Sequence, residues 1–133
     1  MRWVRQEDAW GCGPATLAML TGLTYREVRD EIDSQDAHGH DGDWSKHGVS
    51  HHTLDRFLIS RGFYLQRIYR HMATEWPPRP WSPHHFAQVE QPSRNTHFVV
   101  MEADGGVLDP MREGRFSLTD WPDLLNVVGL VRP

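Results

Sequence analysis

The chain has 133 residues and a net charge of −4 with histidines neutral; 38% of it is apolar and 24% charged. That length is expected to make one domain, residues 1–133, which buries a core without metal or disulfide staples, and the single cysteine excludes an internal disulfide. The acidic balance without a basic block speaks against nucleic acid, no run of about 18 apolar residues offers a membrane span, and MRWVRQEDAW lacks a signal-peptide core, so a cytoplasmic protein, or one carried in a particle assembled there, is expected.

Residues 14–20 (PATLAML) are apolar nearly all round, which predicts a helix buried on most sides. Proline fits its first turn, where the missing N–H has no partner in any case. The helix therefore starts at or just after Cys12 and stops at Gly22. Thr24 and Glu27 form a capping box for a second helix, with Leu23 and Val28 at the staple positions. Val28 and Ile32 carry its apolar stripe to about Asp33. AHGHDGDWSKHG then reads as a polar, glycine-rich loop. Ser50 opens a third helix, with Val49 and Leu54 as staple, Leu54, Phe57 and Leu58 inward, and Gly62 at its end.

Residues 63–69 (FYLQRIY) suit a strand. Residues 72–83 hold four prolines and predict an irregular surface segment. The last third reads as β. Strands are expected over 86–90 and 96–103, then Asp104-Gly105-Gly106 as a hairpin turn and a return over 107–109. Thr119 predicts a short capped helix through Leu125, and 127–131 a closing strand. Helices first and an antiparallel sheet after them make an α+β chain with segregated layers.

Cys12 stands between two glycines at the start of the first helix. A thiol attacks a carbonyl as its thiolate, a form favoured by the unpaired N–H groups of a helix N-terminus and by a nearby histidine. A third group then holds the imidazole in one orientation. His97 lies in the strongest strand, and Asp109 ends the arm that a tight turn returns beside it. A fourth group must donate to the developing oxyanion. Gln6 stands six residues before Cys12, and its amide could share that work with the Cys12 backbone N–H. Gly11 and Gly13 would leave room for a substrate backbone; Trp10 either walls the cleft or anchors the N-terminal segment. Each residue also has a plain reading: Cys12 a buried small hydrophobe, His97 a strand-end histidine, Asp109 a turn residue before Pro110, Gln6 ordinary surface.

Gln6, five residues, then Cys12-Gly13-x-Ala15 followed by LAML resembles the papain-like cysteine peptidases. It is more closely similar to the bacteriocin-processing branch, whose domains usually front ABC exporters and cut leader peptides after a double glycine. His97-Phe98-Val99-Val100 and Asp109-Pro110 resemble that branch's histidine strand and aspartate–proline, in the same order. The resemblance covers about residues 4–33 and 95–114. It implies a papain-like fold, with the nucleophile at the start of a buried helix packed on a C-terminal antiparallel sheet. It also implies Cys12 as nucleophile, His97 as base, Asp109 as its partner and Gln6 as oxyanion donor. The reaction implied is hydrolysis of a peptide bond without a cofactor; a stand-alone domain is expected either to cut a glycine-rich site or instead to trim a phage or bacterial protein or cleave an isopeptide. The interval from His97 to Asp109 is a few residues shorter than the family's, which implies a tighter hairpin. No membrane segment or nucleotide-binding domain follows, so a stand-alone domain is expected. A peptide-binding module with an idle triad, a metal-dependent protein using the histidines of residues 38–52, and an amidase or acyltransferase using the same groups remain the other readings.

His38, His40, Asp41, Asp43, His47, His51 and His52 have the composition of a metal site but not its spacing. A loop is expected there and no metal. His51 and His52 are expected exposed in the first helical turn, and His84 and His85 at the surface. Glu7 and Asp8 read as a solvated acidic pair or as a preference for a basic substrate residue.

Overall fold

The computed structural model describes residues 1–35, 44–46, 48–72, 74–75, 84–90, 96–117 and 124–131. Three helices come first: α1 (Cys12–Thr21), α2 (Tyr25–Gln35) and α3 (His51–Ser60). α1 is buried from Gly13 through Leu20, as an apolar surface on every side requires. Gly22 closes it at φ 79°, donating its N–H to the Ala18 carbonyl. The capping box forms in both directions: the Glu27 N–H reaches Thr24 Oγ1 at 3.1 Å and the Thr24 N–H reaches Glu27 Oε1 at 3.2 Å. α3 turns Leu54, Phe57 and Leu58 inward.

Six strands follow among the described residues: β1 (Tyr64–Tyr69), β2 (His84–Glu90), β3 (Thr96–Glu102), β4 (Gly106–Asp109), β5 (Arg112–Ser117) and β6 (Leu124–Val131). They form one sheet in the order β1-β6-β2-β3-β4-β5, antiparallel at every pairing. The helices pack on one face: Leu17, Val28, Ile32, Leu54 and Phe57 meet Phe86, Phe98, Val100, Val128 and Leu130. The other face buries Ala87, Val99, Met101, Val107 and Val127, with Phe116 against them. The central strands are thus buried on both sides, which is why FVVM (98–101) and VVGL (127–130) run apolar without alternation. The α+β class with segregated layers is as the sequence implied.

Four expectations are corrected. Leu124 and Leu125, expected to end a helix, begin β6; residues 118–123 lie outside the described residues. β5 was not expected. Within the polar loop, Trp44–Lys46 is a 3-10 turn, and Trp44 is buried with its Nε1 donating to Asp33 Oδ1 at 2.7 Å. His85 is fully buried in the central strand β2, between Met101 and Gly129, whereas His84 is exposed.

Candidate active site

The β3–β4 hairpin is closed by glycine chemistry. Gly105 takes φ 86° and donates to the Glu102 carbonyl, and the Gly106 N–H reaches Asp104 Oδ1 at 2.9 Å. The register pairs Met101 with Val107 and Val100 with Leu108. The ladder ends there: Asp109 follows Leu108, and His97 stands three residues before Val100 on the neighbouring strand. The side chains close that gap: His97 Nε2 lies 2.8 Å from Asp109 Oδ1, and each residue is 3% exposed. Asp109 Oδ1 also accepts the Met111 N–H at 2.9 Å, and Oδ2 accepts Arg112 Nε at 3.4 Å. The Arg112 guanidinium stacks over Phe116, 4.3 Å from its centroid. The N-terminal segment is laced to the same corner. Trp3 Nε1 donates to the Asp109 carbonyl at 2.8 Å, and the Gln6 N–H to the Pro110 carbonyl at 3.1 Å.

Cys12 is half-buried in the first turn of α1. Its N–H and that of Gly13 are first-turn donors with no carbonyl four residues earlier in the helix. Nε2 faces Asp109, and Cys12 stands close enough to His97 to raise the pKa of its imidazole. Burial alone would lower the His97 pKa. The bond to Asp109, the bond and charge of Cys12, and the Asp109 charge outweigh it and raise the value to about 9. Burial pushes Asp109 up, but the His97 bond, the Met111 N–H and Arg112 hold it below the usual carboxylate range. The imidazole therefore carries its proton through neutral pH, with Asp109 on Nε2 and Cys12 nearby.

Gln6 is tied to the turn that precedes α1. Its Nε2 donates to the Asp8 carbonyl at 3.1 Å and to the exposed Ala9 carbonyl at 3.0 Å, while Oε1 is buried without a partner. Both amide hydrogens are thus engaged within the chain. Gly11 and Gly13 are buried, and the space expected for substrate belongs to the core. A Cβ on Gly11 would run into Tyr25 Oη, and one on Gly13 into Val49 Cγ2, with Leu54 Cδ1 at 3.1 Å. Trp10 is half-buried, and a Cβ on Gly48 would meet its carbonyl oxygen at 3.6 Å. Asp8 is no solvated acid: Tyr25 Oη donates to its Oδ2 at 2.6 Å. Glu7 lies 3.6 Å from Arg26. Sequence reading missed Arg112, Trp3 and Tyr25; the side-chain NH of Trp3 and the start of α2 at Tyr25 signal nothing without their partners.

His51 and His52 stack at 4.0 Å in the first turn of α3, with His52 exposed. His38, His40, Asp41, Asp43 and His47 lie outside the described residues. Among the described residues no group of three or more His, Cys, Asp or Glu could hold a metal ion. Burial, then the neighbouring charge of His84, pushes His85 down to about 4, so it is neutral where His97 is charged. No helix among the described residues is long and apolar enough to cross a membrane.

No family model matches the chain, and no curated protein is significantly similar to it. Solved structures share its fold. The peptidase domain of Streptococcus ComA, a bi-functional ABC transporter involved in a quorum sensing pathway, superposes with a TM-score of 0.64 at 17% identity, over 98% of this chain and 97% of that one. The peptidase domain of Streptococcus mutans ComA in complex with a small-molecule inhibitor gives 0.64 at 19% identity, over 98% and 99%. The fold implied by the resemblance to the bacteriocin-processing peptidases is the fold found.

Proposed function

We propose that this chain is a cysteine peptidase that cuts a peptide, glycine-rich at the cut site, through Cys12, His97 and Asp109. One observation carries the reading: a buried histidine held to a carboxylate at 2.8 Å on Nε2, with the half-buried cysteine of a helix N-terminus close enough to raise its pKa. A fold shared with peptidase domains supports it.

The Cys12 thiolate attacks the scissile carbonyl carbon; the S–C bond forms and the carbonyl π pair moves to oxygen. The Cys12 N–H donates to that oxyanion. Gln6 joins it by turning one amide hydrogen away from the exposed Ala9 carbonyl, keeping its bond to the Asp8 carbonyl. Protonated His97 gives its proton to the departing amine as the C–N bond breaks, leaving a thioester. Neutral His97 then takes a proton from water, whose oxygen attacks the thioester and restores the thiolate. Asp109 holds the imidazole throughout, with its own Oδ1 fixed by the Met111 N–H.

The test is cleavage of a peptide library containing Gly-Gly junctions, read by mass spectrometry. The wild-type protein cuts, and Cys12→Ala does not while its circular dichroism and melting are unchanged. A Cys12→Ala protein with full turnover ends the proposal.

A further inference from the structure

We propose that Tyr25 and Asp8 are positioning residues for the oxyanion site, holding the Gln6 amide and the Cys12 N–H in register without touching the thiol–imidazole pair. This rests on the peptidase reading above. Tyr25 is the first residue of α2 and is 3% exposed. Its hydroxyl donates to Asp8 Oδ2 at 2.6 Å and accepts the Asp8 N–H at 3.3 Å, so one oxygen fixes both the side chain and the backbone of residue 8. Burial, then the bond and charge of Asp8, raise the phenol's pKa, which keeps it a donor at any working pH. The Asp8 carbonyl in turn accepts Gly11 N–H at 3.0 Å and Gln6 Nε2 at 3.1 Å. The first bond sets the peptide entering Cys12; the second sets the amide of the proposed oxyanion donor. Gly11 has no Cβ because the Tyr25 hydroxyl stands where it would be. A core aromatic needs only its ring; this one spends its hydroxyl on the turn that presents both donors.

Tyr25→Phe keeps the ring and removes the oxygen. A donor misplaced by a fraction of an ångström loses transition-state stabilisation, so kcat is expected to fall about 10- to 100-fold with KM within about twofold. A peptide aldehyde, which takes up the Cys12 thiol as a hemithioacetal (S–C bond formed, carbonyl oxygen made the oxyanion and then protonated), should bind more weakly by a similar factor. Iodoacetamide alkylation of Cys12, which makes no oxyanion, should keep its wild-type rate. Asp8→Ala should match Tyr25→Phe, the double variant should be no worse than either, and Asp8→Asn, which keeps an acceptor oxygen, should recover most of the loss. Wild-type kcat and aldehyde affinity in both Tyr25→Phe and Asp8→Ala overturn the proposal, as do losses that add in the double variant or a matching fall in alkylation. A wild-type protein that cuts no peptide and alkylates like an ordinary thiol overturns instead the peptidase reading on which it rests.

Discussion

Replacing Asp109 by Asn removes the carboxylate that keeps His97 charged, and its consequence can be read without a substrate. His97 is 3% exposed and carries its proton up to about pH 9, against 6.5 for a free imidazole. That difference favours protonated His97 in the folded state by about 3 kcal/mol. A folded-state pKa above the unfolded value means that the folded protein binds the proton more tightly. The stability it contributes is therefore complete below pH 6.5 and is lost as pH rises through 9. Denaturant unfolding of the wild-type protein should show a fall of about 3 kcal/mol across that window. In Asp109→Asn the bond that most opposes burial is gone, the His97 pKa drops, and the fall should shrink. Groups titrating elsewhere cancel in the difference between the two proteins. A wild-type curve flat from pH 6.5 to 9.5, or an Asp109→Asn curve as steep as the wild type, refutes the coupling of His97 to Asp109.

Three further outcomes are expected. Gln6→Ala should lower kcat by roughly 100- to 1000-fold at nearly constant KM if its amide reaches the oxyanion; a change confined to melting temperature would make it a brace for the turn only. Gly13→Ala forces a methyl into Val49 and Leu54 and should destabilise the fold by about 1–3 kcal/mol in thermal melts; an unchanged melting temperature would contradict the packing. Arg112→Ala removes a half-exposed cation from behind Asp109, so the alkaline limb of kcat/KM should move up by about 0.3 of a pH unit; a downward move would contradict its role.

The helices were legible because their signals are local. The Thr24–Glu27 box, Gly22 and the inward row of Leu54, Phe57 and Leu58 need no distant partner to be read. β5 was not legible: REGRFS carries one apolar residue that packs, and an edge strand needs only one neighbour to hold it. The start of β6 was misread because LLNVVGLV is apolar on both faces, and such a run does not separate strand from helix. His85 looked like surface because nothing in HHFAQVE reveals neighbours on both sides. The order of Gln6, Cys12, His97 and Asp109 was visible through resemblance, and the hairpin that joins the last two through its turn. The partners that fill space around the site were not visible: Tyr25 against Gly11, Val49 against Gly13, Arg112 behind Asp109. Each is set by tertiary packing between elements, so two glycines that looked like an open cleft are instead packed against Tyr25 and Val49.

The measurement closest to the central claim is the fate of Cys12 during turnover. A peptidyl ester ending in Gly-Gly is mixed with the protein, quenched in acid within the first turnover and analysed by intact and peptide mass spectrometry. The account predicts a peptidyl mass added to the fragment containing Cys12 in the wild-type protein, and none in His97→Ala. Turnover that leaves Cys12 unmodified, or an acyl group found on another residue, would contradict it.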